Sequence, residues 1–207
     1  VQTDRAYLVD NPDADPPGIL RVVDVSSPPS PIMLGSVTLP GWAYDVAVSG
    51  DYAYVACYDY GLAVVRVSDP SSPQVVAIYD TPGYVNAVTL QGDLAFLSDG
   101  YAGMLVLNIS APTAPVLAGS LALSGFIDEI ALEGTCAYVA AGYGYRGIHV
   151  VDVSDLAHPA LLGSARSPGF ADHVLAAWPY AYLIDDYADL LVYNVANPAA
   201  PSLVGTY

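Results

Sequence analysis

Residues 53–73 read Ala-Tyr-Val-Ala-Cys-Tyr-Asp-Tyr-Gly-Leu-Ala-Val-Val-Arg-Val-Ser-Asp-Pro-Ser-Ser-Pro. Two short runs of β-branched, aliphatic and aromatic residues are separated by a Tyr/Asp/Gly loop and closed by a Ser/Asp/Pro turn. That is the pattern of two strands of a small antiparallel sheet. The stretch recurs along the chain. Its first half returns as Ala6-Tyr7-Leu8, Ala95-Phe96-Leu97, Ala137-Tyr138-Val139 and Ala181-Tyr182-Leu183, with steps of 47, 42, 42 and 44 residues. Its second half returns from Leu20 to Ser26, Met104 to Ser110, Ile148 to Ser154 and Leu190 to Ala196. Each copy ends in a turn closed by Pro31, Pro73, Pro115, Pro159 or Pro201. An apolar run then reaches a small residue at Gly35, Ala77, Gly119, Gly163 or Gly205.

Five coincident registers define a repeat, and each unit predicts four strands. The first is Val46–Val48, Ala87–Leu90, Ile130–Leu132 or Val174–Ala176, and the third and fourth flank the Pro-rich turn. Four antiparallel strands every roughly 42 residues predict the blades of an all-β propeller. Residues 1–207 form one propeller domain on this reading, with units at about 1–39, 40–81, 82–123, 124–167 and 168–207. The first strand occurs only four times, so either one blade is three-stranded or the chain is an excerpt. Five blades are expected, six or seven if it is an excerpt.

Composition agrees. The chain is 54% hydrophobic, which excludes disorder, and its 18 Gly and 17 Pro supply many turns. Five Arg and no Lys oppose 21 acids, of which only Glu129 and Glu133 are Glu. This Asp bias favours turns over helices. A net charge of −16 repels phosphate backbones and anionic lipid, so nucleic acid is not an expected partner. No apolar run of membrane-spanning length and no signal peptide is visible, so membrane insertion is not expected. Val1 at the start fits a processed or excerpted chain. Cys57 ends a second strand and Cys136 begins one two units later, which predicts two free, largely buried thiols.

The segments Gly-Leu-Ala-Val-Val-Arg-Val-Ser-Asp-Pro (61–70), Ile-His-Val-Val-Asp-Val-Ser-Asp (148–155) and Pro-Gly-Trp-Ala-Tyr-Asp-Val-Ala-Val-Ser-Gly (40–50) resemble the LVIVD repeat. The resemblance covers essentially the whole chain. It implies a β-propeller in a secreted or cell-surface bacterial or archaeal protein, and implies no particular chemistry. Arg66, Asn108 and Asn194 depart from the family's Asp in the third strand, a matter of packing and turns.

In an up-and-down blade, alternate loops share a face. The loops that enter the first strands (Trp42, Tyr44, Asp45; Tyr84, Asn86; Phe126, Asp128, Glu129; Phe170, Asp172, His173) therefore join those after the second strands (Tyr58, Tyr60; Tyr101; Tyr143; Tyr187). Aromatic platforms beside carboxylates predict a binding face for a carbohydrate or a protein. The aromatic after each Pro-Gly (Trp42, Tyr84, Phe170), or after Ser-Gly in the fourth unit (Phe126), doubles as a candidate inter-blade wedge. The variable position two residues later (Tyr44, Asn86, Asp128, Asp172) is expected to line the mouth of the central channel. On a regular strand, Asp172 and His173 would point to opposite sides.

The expected function is a non-catalytic extracellular or cell-surface recognition or assembly module, with self-assembly among its options. The alternatives are a hydrolase-type enzyme using the channel-mouth acids and a purely structural repeat domain of a larger surface protein. No catalytic residue, metal ligand or cofactor is assigned. Asp10-Asn11-Pro12-Asp13-Ala14-Asp15-Pro16-Pro17-Gly18 resembles a calcium loop. Its prolines and missing final acid favour a solvated loop, with calcium as the alternative. His149, His158 and His173 fall in unrelated contexts and fit no zinc spacing. The third-strand polar position (Asp24, Arg66, Asn108, Asp152, Asn194) is expected to serve turns or inter-blade hydrogen bonds.

Overall fold

The computed structural model describes residues 4–12 and 17–207. They form five antiparallel sheets, one per repeat, in a five-bladed β-propeller. Blade one has three strands: β1 (Arg5–Asp10), β2 (Ile19–Asp24) and β3 (Ile32–Thr38). Blade two has β4 (Asp45–Ser49), β5 (Tyr52–Ala56), β6 (Leu62–Arg66) and β7 (Gln74–Tyr79). Blade three has β8 (Ala87–Gln91), β9 (Leu94–Ser98), β10 (Met104–Asn108) and β11 (Val116–Leu121). Blade four has β12 (Ile127–Glu133), β13 (Cys136–Ala141), β14 (Gly147–Asp152) and β15 (Ala160–Arg166). Blade five has β16 (Ala171–Ala177), β17 (Tyr180–Asp185), β18 (Asp189–Asn194) and β19 (Ser202–Thr206). Each sheet runs in sequence order, and β4, β8, β12 and β16 neighbour one another as the inner strands. Among the described residues no helix is long and apolar enough to cross a membrane.

Period-two patterning gives every blade two apolar faces, because successive side chains point to opposite sides of a strand. The aromatic of the second strand faces the following blade; its neighbours on either side face the preceding one. Thus Tyr54, Ala56, Leu62 and Val64 of blade two pack on Val88, Ala95, Leu97 and Leu107 of blade three. Phe96, Met104 and Val106 of blade three pack on Ile130, Ala137, Val139 and Val151 of blade four. The same registration joins blades one and two and blades four and five. The core is therefore four inter-blade layers rather than one central cluster.

The fourth strand carries the feature that spaces the blades. In every blade the pairing of third and fourth strands slips by one residue, at Val22/Val23, Val64/Val65, Val106/Leu107, Val150/Val151 and Val192/Tyr193. Beside each slip stands the small residue of the repeat. A β-bulge bends its strand, and here it opens a slot. The Pro-rich turn of the next blade enters it: a Cβ on Gly35, Gly119 or Gly163 would collide with the backbone carbonyl of Pro70, Leu156 or Pro198.

The third-strand polar residues hold turns, as expected. Backbone N–H groups of Ser26, Ser110, Ser154 and Ala196 donate to Asp24, Asn108, Asp152 and Asn194 at 2.8–3.0 Å. Arg66 instead donates to Gln74, and Asp69 takes over the turn by accepting from Ser71 N–H. Both cysteines are free; Cys57 is fully buried and Cys136 half-buried. Burial pushes the Cys57 thiol up to about 12, leaving it un-ionised at neutral pH.

Candidate functional site

The inner strands bring Tyr44, Asp45, Asn86, Ala87, Asp128, Glu129, Asp172 and His173 around one cavity of about 130 Å³. Each blade from two to five contributes to this channel mouth.

The two acids that sit directly across from a neighbouring inner strand are tied to it. Asp45 accepts from Val88 N–H of the next blade at 2.9 Å, and Glu129 accepts from Val174 N–H at 2.7 Å. Between blades three and four, the Thr89 hydroxyl donates to the Ile130 carbonyl at 2.6 Å, and the Asn86 amide donates to the Ile127 carbonyl at 3.3 Å. Inner strands of adjacent blades do not form a continuous ladder, so their facing N–H and C=O groups need side-chain partners. Asp45 and Glu129 therefore stitch blades together. Asp45→Ala leaves the buried Val88 N–H without its partner and is expected to cost about 1–3 kcal/mol. Chemical denaturation checks this.

Asp128 and Asp172 differ. Each is the extra residue of a bulge, between Ile127 and Glu129 and between Ala171 and His173. The expectation that Asp172 and His173 face opposite sides holds only for a regular strand. The bulge breaks the alternation, and both line the cavity. His173 Nδ1 lies 3.4 Å from Glu129 Oε2. Burial pushes the Asp128 carboxyl up to about 7, with Asp172 adding to the rise and the Gly142 N–H bond and His173 opposing it. Asp172 is also raised, by burial first and then by Asp186.

A groove of about 280 Å³ continues outward between blades four and five. Phe126, Tyr143 and Phe170 supply its aromatic walls, and Asp128, Asp172 and Asp186 its acids. Tyr143 stacks on Phe170 with centroids 5.9 Å apart, and the Arg146 guanidinium lies 4.5 Å from the Phe170 ring. Asp186 accepts from Phe170 N–H at 2.6 Å. Phe126 and Phe170 are legible in the sequence as loop aromatics and candidate wedges, and Asp186 only as a loop residue. The signal for Phe170 and Asp186 is the Asp-Asp-Tyr loop facing Pro-Gly-Phe within one unit.

The remaining aromatics of this face pair across or within blades. Tyr58 stacks on Tyr84 at 4.6 Å and contacts Tyr44 and Trp42 at 5.2 and 5.9 Å. Its own φ is +50°, and its backbone bridges to Val85. Tyr101 meets Phe126 edge-on at 5.0 Å. The wedge role of Tyr84 and Phe126 thus has a partner in the loop of the preceding blade. Tyr60 covers Gly41, and Tyr187 stands in solvent.

Two buried acids staple loops. Asp99 accepts from the Thr81 hydroxyl at 2.7 Å and Gly83 N–H at 3.0 Å, and Asp185 accepts from Gly169, Tyr187 and Ala188 N–H at 3.0 Å. His149, fully buried, bonds Ser164 Oγ and the Ser124 carbonyl, and burial holds its pKa below the ordinary value. Among the described residues no group of three or more His, Cys, Asp or Glu side chains could hold a metal ion. Asp13, Ala14, Asp15 and Pro16 of the calcium-like loop lie outside the described residues, while Asn11 bonds the Ala43 backbone.

The LVIVD repeat family model matches residues 14–39, 40–81, 82–122, 124–166 and 168–207. No curated protein sequence matches the chain. Among solved structures, a protein from Lactobacillus plantarum is similar at 16% identity and TM-score 0.85, over 100% of this chain and 68% of that one. A functionally unknown protein from Desulfotomaculum acetoxidans DSM 771 is similar at 13% identity and TM-score 0.75, over 100% and 70%. The computationally designed Ika4 protein is similar at 13% identity and TM-score 0.63, over 75% and 92%. At these identities the likeness concerns the fold alone.

Proposed function

The chain belongs to the LVIVD repeat family, and on that scaffold we propose that it is a non-catalytic extracellular or cell-surface recognition module that binds carbohydrate at the channel mouth. The observation that carries this reading is the groove between blades four and five, where three aromatic side chains stand beside three carboxylates. Aromatic rings cover the apolar faces of sugar rings, and carboxylates accept hydrogen bonds from their hydroxyls. Tyr143, 65% exposed, offers ring surface that the fold does not consume. The acidity of the face disfavours anionic glycans and favours neutral ones.

A screen of neutral oligosaccharides by calorimetry tests this. Tyr143→Ala and Asp172→Asn are each expected to weaken binding on the order of tenfold, the effect of losing roughly 1.4 kcal/mol. Absence of heat with every glycan tried would end the carbohydrate reading. A second reading is supported by Asp128, because a carboxyl raised to about 7 beside another acid suits a general acid. It requires release of reducing ends from a bound glycan, abolished by Asp128→Asn.

A further inference from the structure

One aromatic pairing recurs at the joints inside the repeat series. A ring in the loop after a second strand meets the ring that follows Pro-Gly or Ser-Gly in the next blade. Tyr58 meets Tyr84, Tyr101 meets Phe126 and Tyr143 meets Phe170. At the joint of blades four and five an arginine completes the pair, the Arg146 guanidinium lying 4.5 Å from the Phe170 ring. Arg166 lies over Tyr145 at 4.0 Å. Two of the chain's five arginines are thus spent on ring faces. Ring faces attract cations electrostatically, and the flat guanidinium stacks on them.

The joint of blades two and three has the rings without the cation. Blade two carries Tyr60 where blade four carries Arg146, each just before the glycine that leads into the third strand. Tyr60 turns back over Gly41 instead. Tyr44 is 52% exposed and Tyr84 42%, with Tyr58 in ring contact with both. Among the described residues no cation lies over these three rings.

The backbone of Tyr58 adds an independent observation. Its φ of +50° is left-handed, and blade three places Gly100, at φ +55°, in the same position. Both residues bridge to the next blade, Tyr58 to Val85 and Gly100 to Ile127. Glycine meets this requirement without cost, and tyrosine does not. Blade two thus keeps a ring where the backbone favours glycine, and such strain gathers at functional positions. The surroundings are negative. Asp59 is exposed and acts on the Tyr58 hydroxyl, and Tyr44 shares the channel-mouth cavity with Asp45, Asp128, Glu129 and Asp172. The chain holds no lysine to offset them.

We propose that the platform formed by Tyr44, Tyr58 and Tyr84 binds an arginine side chain of a partner protein. The partner supplies here the guanidinium that Arg146 supplies on Phe170. This site is separate from the carbohydrate groove and does not rest on that reading.

Calorimetry on the intact chain with a short Gly/Arg peptide and its Gly/Lys counterpart tests this. The arginine peptide is expected to bind several-fold tighter, because the compact, strongly hydrated ammonium does not stack. Tyr84→Ala and Tyr58→Gly are each expected to weaken its binding on the order of tenfold. Tyr58→Gly installs the residue of blade three and relieves the left-handed backbone, so its melting temperature stays close to the parent's. Both variants keep the net charge of −16, so general attraction of a basic peptide to an acidic surface survives them. Tyr143→Ala, in the groove of blades four and five, is expected to leave arginine binding unchanged. No binding, equal affinity for the two peptides, or binding that Tyr84→Ala and Tyr58→Gly leave intact overturns the proposal. Heat from a neutral oligosaccharide but not from the arginine peptide, lost in Tyr84→Ala, gives the platform to glycan and overturns it as well.

Discussion

Gly119→Val is expected to destabilise the protein by about 3 kcal/mol or more, lowering the melting temperature by roughly 10 °C. The φ of Gly119 is not left-handed, so backbone strain is not the cause. The cost is steric. A Cβ at this position falls on the Leu156 carbonyl of blade four, and backbone, unlike a flexible side chain, cannot turn aside. To fit valine, the turn at residues 155–159 must withdraw from the slot. That separates Phe96, Met104 and Val106 from Ile130, Val139 and Val151, a layer buried throughout. Ala77 in blade two shows that one methyl is accommodated beside a different turn, which is why valine is the informative substitution. Thermal denaturation followed by circular dichroism checks the effect. Gly119→Val melting with the parent would mean that the slot does not space the blades.

The repeat, the strand order and the turn residues were all legible because they are local. Each blade is a meander of neighbours in sequence, so period-two patterning and Pro/Gly punctuation suffice. The small residue of the fourth strand was legible as a regularity and not as a mechanism. Its reason lies 35 to 37 residues ahead, in a carbonyl of the next blade. The channel mouth divides the same way. Position along the unit picked out Tyr44, Asn86, Asp128 and Asp172. What it could not separate was Asp45 and Glu129, spent on Val88 and Val174 N–H, from Asp128 and Asp172, set on bulges. A bulge is fixed by which residues pair across the ladder, here Ile184 with His173 and Asp185 with Ala171, and no composition of the strand itself announces it. The opposite-sides expectation for Asp172 and His173 failed for that reason.

Asp128→Asn is expected to stabilise the protein at pH 8 by about 1–2 kcal/mol and to leave it unchanged near pH 4. In the unfolded chain this carboxyl loses its proton near its ordinary 3.8, whereas in the fold burial delays the loss to about 7. Between those values the folded state binds the extra proton, so stability falls as pH rises through the window and is flat outside it. The full shift would correspond to about 4 kcal/mol; water at the open mouth screens the charge and reduces the effect to the smaller figure. Asparagine removes the charge and keeps an oxygen to accept the Gly142 N–H bond, now 3.0 Å long. Other groups titrate nearby, among them Asp172 and Asp99, both raised, and His149, lowered. The difference between parent and variant across pH isolates Asp128 from them. The same titration separates the two readings of the site: a carbohydrate acceptor works best with the carboxylate ionised, above pH 7, and a general acid works best with it protonated, below. A stability difference that does not change between pH 4 and 8 would show that Asp128 ionises normally, and it would remove the general-acid reading with it.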